Sequence, residues 1–596
     1  MMRSLLLAFL VCRTAMAQAQ LGEDRSTFTH ADSLRGGIGP ERAWWDVRHY
    51  AVFVTPDLDQ RTIKGRTYIK FTATEPGRRM QIDLQQPLEV DSIHMWVSGP
   101  IPMPDDRFVG VTSIKTAVPF TREGDVIWLD LPAGSRLEGS PGQYEPGESG
   151  ILWIDYHGKP KAAKNPPWDG GWIWKKDAQG NPWVSVACQG LGASVWYPCK
   201  DHQSDEPQEG ATLRIIVPDS LQGIGNGRLR GTWSNGDGTT TWEWQVSSTI
   251  NTYNLIPYIG KYAHWNESYA GIEGPLQCDY WVLASNEAKA REQFKQVPEM
   301  LRCFEEWLGP YPFYRDGYKL VEAPHLGMEH QSAIAYGNGF VNGYRGTDLS
   351  GSGHGLEWDY IIIHESGHEW FGNSITTADI ADMWVHEGFT DYTETLFTEC
   401  QQGAEAAQEY VIGLRRNIRN DKPIIGPYGV NTEGSGDMYY KGANLLHMIR
   451  HIVGDTTFKA MLLEMDRSFK HSVVTSAQVE DLMIGFDART KERLNKRIFD
   501  QYLRTAQVPV LEYAVKKKMV RVRWTEAIDG FSMPVGMVVD GRSVLVPCTT
   551  QWSSTGPKVR RRSSVAVDPA WYVGARKVAR GQVRQPGERP KNALSF

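Results

Sequence analysis

Three ionisable residues stand close together in the segment IIIHESGHEWFGN, residues 361–373. His364 and His368 are four positions apart, and on an α-helix this spacing places both imidazoles on one face, about one turn apart. Two imidazoles in this arrangement can bind one metal ion. Glu365 lies on a neighbouring part of the same face, where it can act on a water molecule at the ion without being a ligand. The H-E-x-x-H pattern is typical of zinc hydrolases, so the sequence predicts a zinc site on a buried helix that faces a cleft.

A catalytic zinc ion has three protein ligands and one open position, so the two histidines need a third donor. The segment MWVHEGFTDYTE supplies Glu387, and the intervening residues 369–386 are enough for a loop and a returning helix. His386 is a competing candidate. On a helix, however, a metal-facing Glu387 turns His386 about 100° away. We therefore predict that His364, His368 and Glu387 are the ligands.

The elements that must position these residues follow from the periodicity of the chain. Residues 44–257 contain short β-branched and aromatic segments separated by Gly, Pro, Asp and Asn, which predicts strands. Apolar residues at three- and four-residue spacing, typical of helices, begin near residue 285, and alternating segments return after about residue 505. The sequence predicts a multidomain α+β protein with an all-β domain (20–262), a mostly helical catalytic domain (263–505) and a small β-sandwich (506–575).

Both ends of the chain are predicted to lie outside these domains. A short apolar segment over residues 5–11 is followed by small residues at Ala15 and Ala17 or at Ala17 and Ala19, which is typical of a secretory signal peptide cleaved near Ala17 or Ala19. We expect residues 1–19 to be removed and the protein to be exported, to a periplasmic, surface-associated or extracellular location. No later segment is apolar over the length that a membrane span needs. Residues 576–596 are basic and poor in large apolar groups, which predicts a disordered tail.

The composition limits the possible partners. Hydrophobic residues make up 41% of the chain and charged residues 22%, which is ordinary for globular domains. The formal net charge of -6 provides no basic field for a phosphate backbone, so nucleic acid is not an expected partner. The oligomeric state cannot be derived from the sequence.

The cysteines do not form a metal site. The six that follow the predicted signal peptide are scattered without C-x-x-C spacing: Cys188, Cys199, Cys278, Cys303, Cys400 and Cys548. Export would permit disulfides. Their pairing cannot be derived from the sequence, and buried free thiols are at least as compatible with a chain of this length.

Three segments, HESGHEWFGNSIT, WVHEGFTDYTE and YYKGANLLHMI, resemble in order and spacing the zinc and catalytic-helix motifs of the aminopeptidase N family of gluzincin metallopeptidases. This family includes alanyl aminopeptidases and leukotriene hydrolase. The resemblance implies one Zn²⁺ per chain bound by His364, His368 and Glu387, with Glu365 as general base and Tyr439 stabilising the oxyanion. It also implies a saddle-like N-terminal β domain, a thermolysin-like catalytic domain and a C-terminal β-sandwich, without the family's large C-terminal helical domain.

A fourth segment, HLGMEHQSA, resembles the exopeptidase signature G-A-M-E-N of the same family. Leu326 and His330 stand in place of its first Gly and its Asn. The resemblance implies that Gly327, Met328 and Glu329 bind substrate and that Glu329 holds the free α-amine. The two departures leave the backbone geometry of the first subsite open.

A fifth segment, CQGLGASVWYPCKD, resembles a family segment in which Gln189 reaches from the β domain toward the same subsite. The expected function is that of a zinc aminopeptidase acting on peptides with a free N-terminus. The altered signature leaves a zinc endopeptidase or an epoxide hydrolase as alternatives. A catalytically silent binding protein is a further alternative, using the tryptophan-rich segment PPWDGGWIWKKDAQGNPW, although we expect packing roles for most of these tryptophans.

Overall fold

The computed structural model describes residues 27–102, 108–132, 142–553, 556–560, 562–579 and 583. The predicted signal peptide, residues 1–19, and most of the predicted tail, residues 576–596, lie outside these ranges. The described chain has a β domain, a mostly helical domain and a C-terminal pair of small sheets, which is the multidomain α+β arrangement predicted above. Among the described helices, none combines the length and the apolar character needed to cross a membrane.

The N-terminal part begins with two short helices, α1 (His30–Gly36) and α2 (Pro40–Ala43), and continues as strands. The strands are β1 Trp45–Asp57, β2 Thr62–Ala73, β3 Arg79–Asp83, β4 Glu89–Pro102, β5 Phe108–Ala117, β6 Phe120–Glu123, β7 Val126–Asp130, β8 Ser149–Gly158, β9 Gly171–Lys176, β10 Pro182–Ala187, β11 Ala211–Pro218, β12 Gln222–Ile224, β13 Arg228–Ser234, β14 Thr239–Val246 and β15 Tyr258–Gly260. They form an eight-stranded sheet in the order β13-β14-β11-β1-β2-β8-β4-β5, a four-stranded sheet β12-β15-β10-β9 and a three-stranded sheet β3-β7-β6.

The alternation of residue types along β11 explains how the large sheet is oriented. Leu213, Ile215 and Val217 are buried, while the residues between them are only partly buried. Successive side chains of a strand point to opposite faces, so the buried set must face the core of the β domain. β11 pairs in parallel with β1, and it places Arg214 opposite Phe53 on the outer face.

The middle part contains a five-stranded sheet, a two-stranded sheet and ten α-helices among the described residues. Its strands are β16 Tyr262–Gly271, β17 Gly274–Leu283, β18 Tyr318–Glu322, β19 Gly327–Met328, β20 Ile334–Tyr336, β21 Ile375–Thr377 and β22 Ser472–Val474. Its helices are α3 Glu287–Gln293, α4 Val297–Leu308, α5 Tyr360–Gly367, α6 Trp384–Gln402, α7 Ala404–Gly413, α8 Tyr440–Val453, α9 Asp455–Phe469, α10 Ser476–Gly485, α11 Ala488–Lys491 and α12 Lys496–Leu503. The larger sheet has the order β16-β17-β18-β20-β19, which leaves the two-residue strand β19 at one edge.

The five-stranded sheet joins the β domain to the helical domain. Val321 and Ala335 of this sheet, and Ala333 directly before β20, belong to the core of the β domain. Leu320 and Ile334, which alternate with them, belong to the core of the helical domain. Because the two faces of one sheet enter two different cores, the β domain and the helical domain meet along it.

A disulfide between Cys303 and Cys400 connects α4 to the end of α6. The closed loop of 97 residues contains both α5 and the first turn of α6, and therefore all the predicted metal ligands. The remaining cysteines of the described chain are buried free thiols, namely Cys188, Cys199, Cys278 and Cys548. The sequence left the disulfide pairing open, and among the described residues it consists of one disulfide, Cys303–Cys400.

The C-terminal part consists of two three-stranded sheets, β24-β23-β28 and β26-β25-β27. Its strands are β23 Val510–Lys516, β24 Met519–Thr525, β25 Val535–Val539, β26 Arg542–Val546, β27 Val565–Val567 and β28 Gly574–Lys577. β28 pairs in parallel with β23, so the boundary predicted after residue 575 falls inside a strand. Arg415 of the helical domain donates hydrogen bonds to the carbonyl oxygens of Pro569 and Ala570 and connects the two parts.

Candidate active site

The helix that carries the H-E-x-x-H segment, α5, begins at an aspartate cap. The Asp359 carboxylate accepts hydrogen bonds from the backbone amides of Ile361 and Ile362, at 3.1 and 3.4 Å. An acceptor at this position satisfies amides that have no partner within the helix. Every residue of α5 is buried, as the isoleucine run predicted. His368 is the C-cap residue and keeps a helical conformation, so both histidines remain on one face.

Three predicted ligand atoms converge at the end of α5. The Nε2 atoms of His364 and His368 are 3.3 Å apart. The Oε2 atom of Glu387, in the first turn of α6, is 3.6 Å from the former and 3.3 Å from the latter. Ligand atoms about 2.0–2.1 Å from a tetrahedral zinc ion are about 3.3 Å apart. The three side chains therefore have the separation that one zinc ion requires.

The other nitrogen of each imidazole is held by an acceptor outside the metal centre. His364 Nδ1 lies 2.7 Å from Glu394 Oε1, and the second oxygen of Glu394 accepts a hydrogen bond from the Tyr410 hydroxyl. His368 Nδ1 lies 2.9 Å from the carbonyl oxygen of Phe371. Such contacts place the proton on Nδ1, fix the ring and leave the Nε2 lone pair free for a metal.

The surroundings of Glu387 provide an independent test of the fit to zinc. Its Oε2 atom is buried and has no hydrogen-bond partner among the described residues. Burial alone raises the pKa of this carboxyl, but the imidazoles of His368 and His364 hold its pKa well below the usual range. A buried, ionised oxygen without a partner is unfavourable unless a cation is bound there. The donor set therefore fits a divalent cation such as Zn²⁺.

His386, the competing candidate, is turned away from this centre. Its Nε2 atom accepts a hydrogen bond from the backbone amide of Thr377 at 2.9 Å, and its side chain is fully buried. Adjacent helical residues point about 100° apart, so the orientation of Glu387 excludes His386 from the same centre.

Glu365 lies beside the predicted ligands and faces the cleft. Its carboxylate, that of Glu329 and the ring of His368 have ligand atoms within 4.8 Å of one another. Burial raises the pKa of Glu365 to about 7, against the opposing effect of the neighbouring imidazoles. A general base with a pKa near the working pH can both accept and return a proton. Gly327 leaves room for this carboxylate, because a Cβ atom there would lie 2.7 Å from Glu365 Oε1.

A cleft opens over the three converging side chains. It is lined by residues of both domains, namely Pro167, Trp168, Gln189, Leu326, Gly327, Met328, Glu329, Tyr344, Tyr360, Ile361, His364, Glu365, His368, Glu387, Tyr439 and Tyr440. All predicted site residues are in this set. The sequence motifs did not point to Trp168, Tyr344 and Tyr360, because aromatic side chains in a large protein are most often part of the core.

Tyr439 precedes α8, and its ring lies 6.0 Å from that of His364. Its position relative to the metal centre depends on the contact between α6 and α8. A Cβ atom added to Gly442 would lie 2.9 Å from the Cα atom of Gly388, so the two helices meet backbone to backbone. Gly388 follows Glu387 directly, and Gly442 lies three residues after Tyr439.

The predicted amine-binding residues lie together at one wall of the cleft. Glu329 is 3% exposed, and its Oε1 atom accepts hydrogen bonds from Gln189 Nε2 at 2.5 Å and from the Tyr253 hydroxyl at 2.9 Å. Both donors come from the β domain. Tyr253 was missed because no motif in its segment NTYNLIPY distinguishes it from a core tyrosine. Gly327 and Met328 form the edge strand β19, antiparallel to β20.

The two departures from the exopeptidase signature have different environments. Leu326 lines the cleft and is 4% exposed. His330 is fully buried, and its Nδ1 atom lies 2.5 Å from the Tyr258 hydroxyl, which itself donates to the carbonyl oxygen of Ala333. Through these hydrogen bonds, His330 and Tyr258 hold the segment that follows Glu329 in the chain.

One further carboxylate near the centre was not anticipated from the sequence. Glu433 is 4% exposed, and neither carboxylate oxygen has a hydrogen-bond partner among the described residues. Burial raises its pKa to about 8, with further contributions from the carboxylates of Glu387 and Glu329. Its segment, NTEGSG, has no pattern that indicates a functional site.

The contact between His364 and Glu394 supports a prediction on metal affinity. Replacing Glu394 with glutamine removes the negative charge that orients and polarises the imidazole, and we expect zinc affinity to fall about tenfold or more. Competition with a chelator of known affinity measures the dissociation constant. Glu399→Gln, on the same helix but paired with Arg450, is the matched control and should bind zinc like the wild type. An unchanged dissociation constant for Glu394→Gln would contradict the prediction.

Comparison with known proteins agrees with this geometry. Residues 293–502 match the Peptidase family M1 domain. The chain is 23% identical over 367 residues to the Tricorn protease-interacting factor F2 of Thermoplasma volcanium, covering 59% of this chain and 44% of that protein. It is 24% identical over 336 residues to an Aminopeptidase N of Haemonchus contortus, covering 52% of this chain and 32% of that protein. The chain thus spans half or less of the length of these two relatives.

A solved structure shares the fold. The M1 zinc metallopeptidase from Deinococcus radiodurans superposes with a TM-score of 0.61 and 22% sequence identity. The superposition covers 77% of this chain and 95% of that one. The match therefore extends beyond the helical domain. By its motifs and its relatives the chain resembles the aminopeptidase N family, its residues 293–502 match the Peptidase family M1 domain, and it shares the fold of an M1 zinc metallopeptidase.

Proposed function

We propose that this protein is an exported zinc aminopeptidase that removes residues one at a time from the free N-terminus of peptides. The observation that carries the proposal is the position of Glu329. Its carboxylate is held by Gln189 and Tyr253 at the wall of the cleft and lies within 4.8 Å of ligand atoms of Glu365 and His368. An ammonium group bound at Glu329 therefore has only one peptide bond within reach of the metal centre.

His364, His368 and Glu387 would hold one Zn²⁺. When bound, this ion lowers the pKa of a water molecule from about 15.7 to about 7 and polarises the carbonyl group of the substrate. The open side of the site faces the cleft, where the substrate enters.

The remaining chemistry belongs to two side chains of the protein. Glu365 accepts a proton from the attacking water and returns it to the leaving amine, which is a task for a carboxylate with a pKa near 7. The Tyr439 hydroxyl donates a hydrogen bond to the carbonyl oxygen as negative charge develops there. Burial, and then the nearby carboxylates of Glu387 and Glu433, raise the pKa of Tyr439, so its hydroxyl keeps its proton at neutral pH.

The edge strand β19 supports the orientation of the peptide. Gly327 and Met328 pair with β20 on one side only, so their other side can accept an extended peptide as an additional strand. Such pairing aligns the substrate backbone along the cleft between Glu329 and the metal centre.

Export is the part of the proposal that rests on the sequence pattern of residues 1–19. The disulfide between Cys303 and Cys400 supports it, because structural disulfides persist in oxidising compartments and are rare in the cytosol.

The amine requirement is tested with matched pairs of substrates. We expect the protein to hydrolyse leucine p-nitroanilide and to lose on the order of 10⁴-fold in kcat/KM when the α-amine is acetylated, because a site built to bind a polar group rejects the analogue that lacks it. Glu329→Gln should lower kcat/KM for the substrate with a free α-amine. The ratio of kcat/KM between the free and the acetylated substrate should therefore become smaller. The matched control is Glu306→Gln. Glu306 is exposed, forms an ion pair with Lys459 and does not line the cleft.

Two outcomes would change the assignment. Equal rates on the free and acetylated substrates would end the aminopeptidase claim and leave the zinc site untouched. Cleavage inside peptides with a blocked N-terminus would instead favour the endopeptidase alternative.

A further inference from the structure

The tryptophan-rich segment of the β domain reaches the catalytic cleft through one preorganised loop, residues 164–170. The Asp169 carboxylate accepts hydrogen bonds from the backbone amides of Lys164 and Asn165, at 2.6 and 2.9 Å. The amide of Trp168 donates to the carbonyl oxygen of Asn165 at 3.0 Å. These bonds within the loop hold Trp168 in place before any substrate binds.

Trp168 differs in its environment from the tryptophans that follow it. Trp172 is fully buried in the core of the β domain and stacks on Trp174, with ring centroids 4.9 Å apart. Trp168 is only half-buried, packs against the core of the helical domain and lines the cleft. The packing role expected for these tryptophans therefore holds for Trp172 and does not account for Trp168.

Trp168 belongs to an aromatic wall that continues on the helical domain. The guanidinium group of Arg345 lies 5.7 Å from its ring centroid. The preceding residue, Tyr344, lines the cleft and meets the ring of Tyr360 edge to face at 5.3 Å. Leu326 lines the same cleft. The wall is thus built from large apolar surfaces, and the Arg345 guanidinium group lies over the indole ring.

The aromatic wall lies beside His364, whereas the amine site lies beside His368, the other predicted histidine ligand. The ring of Tyr360 stacks on that of His364, with centroids 5.1 Å apart. The carboxylate of Glu329, in contrast, groups with His368 within 4.8 Å. A peptide whose α-amine is at Glu329 must therefore pass the metal centre before it reaches Tyr360. The residue that arrives there is the second one, which leaves as the new N-terminus.

We propose that Trp168 is a specificity-determining residue for the side chain of the second residue of the substrate, and that peptides with a large apolar or aromatic second residue are preferred. The inference rests on the proposed aminopeptidase function and adds the class of peptide to it. The physical reason is that such a side chain leaves water and packs against the indole ring together with Tyr344 and Tyr360. A glycine at the second position makes no such contact.

The test uses tripeptides Ala-X-Ala, in which only the second residue varies among Gly, Ala, Leu and Phe. We expect kcat/KM for the Phe peptide to exceed that for the Gly peptide by about tenfold or more in the wild type, as a hydrophobic pocket typically discriminates. Trp168→Ala should reduce this ratio to about twofold or less, chiefly by slowing the Phe and Leu peptides. Trp168→Phe, which keeps an aromatic ring, should retain most of the preference.

The controls separate specificity from folding. Trp233→Ala, a 43% exposed tryptophan on β13 remote from the cleft, should keep the wild-type ratio, and thermal unfolding should show that each variant is folded. A second series, X-Gly-Gly, varies the first residue. Its preferences should be the same in Trp168→Ala as in the wild type.

Each contrary outcome has a definite meaning. A preserved Phe-to-Gly ratio in Trp168→Ala, an equal loss on all peptides, or a changed preference in the first-residue series would overturn the assignment of Trp168. A wild type that cleaves these peptides without preferring Phe over Gly would overturn the inference alone. A wild type that cleaves none of them would remove the proposed function and this inference with it.

Discussion

Replacing Glu365 with glutamine should lower kcat for peptide hydrolysis by roughly 10²- to 10⁴-fold, because general acid and base catalysis by a positioned side chain contributes about this much. Glutamine has nearly the same shape but cannot accept and return a proton. Glu365 is also not one of the three converging ligands, so zinc should remain near one ion per chain. Steady-state kinetics on a tripeptide, together with metal analysis of the same preparation, measures both quantities.

Glu387→Gln is the matched comparison for this experiment. It changes the same functional group one helix away, but at an atom that lies within 3.6 Å of both imidazoles. We expect it to lose zinc as well as activity. If Glu365→Gln retained full activity, or lost zinc to the same extent as Glu387→Gln, Glu365 would not be the general base.

Replacing Tyr439 with phenylalanine should lower kcat by roughly 10²- to 10³-fold, the usual cost of losing one hydrogen-bond donor to a developing oxyanion. KM should change little, because the hydrogen bond strengthens only as charge develops in the transition state. Steady-state kinetics on the same tripeptide measures the loss in kcat, and a binding measurement with a product amino acid shows whether ground-state binding has changed.

Tyr440→Phe provides the comparison, since the neighbouring tyrosine also lines the cleft. We expect its loss to be less than about tenfold, because packing against the cleft wall does not depend on the hydroxyl group. If Tyr440→Phe lost more than Tyr439→Phe, the oxyanion donor would be the other tyrosine. A large rise in KM for Tyr439→Phe would indicate a ground-state binding role.

The metal ligands could be predicted from the sequence because their geometry is local. The spacing of His364 and His368 fixes two donors on one helix face, and the helix period excludes His386 once Glu387 faces the same centre. In the structure, the Nε2 atoms of His364 and His368 and the Oε2 atom of Glu387 lie within 3.6 Å of one another. The position of α5 was also predictable, since a run of isoleucines directly before ionisable residues requires a buried helix.

The contacts that complete the site could not be predicted in the same way. Tyr253 and Glu329 are 76 residues apart in sequence, and only the meeting of two domains brings them within 2.9 Å. Tyr410 and Glu394 are only 16 residues apart and belong to one domain, but they meet only because α6 and α7 pack together. Trp168 has a sequence context that is equally compatible with a core residue. The role proposed for it depends on a loop of the β domain that packs against the core of the helical domain.

The end of the β-sandwich shows the same limit on a smaller scale. β28, Gly574–Lys577, contains two basic residues, and its composition resembled that of the tail. Arg576 nevertheless lies 3.2 Å from Glu512 on the adjacent strand, and the strand is paired in parallel with β23. A short edge strand with charged side chains has almost no hydrophobic signal, so its strand character depends on its partner.

The glycine pair between α6 and α8 has a consequence for how the reaction geometry is maintained. Gly388 and Gly442 allow two main chains to touch, so the separation of the backbones that carry Glu387 and Tyr439 is set by the thickness of two polypeptide chains. Backbone thickness does not vary with rotamer or with loop conformation. The catalytic spacing is therefore insensitive to changes on the outer faces of both helices, whereas a single methyl group at either glycine would widen the reaction centre itself.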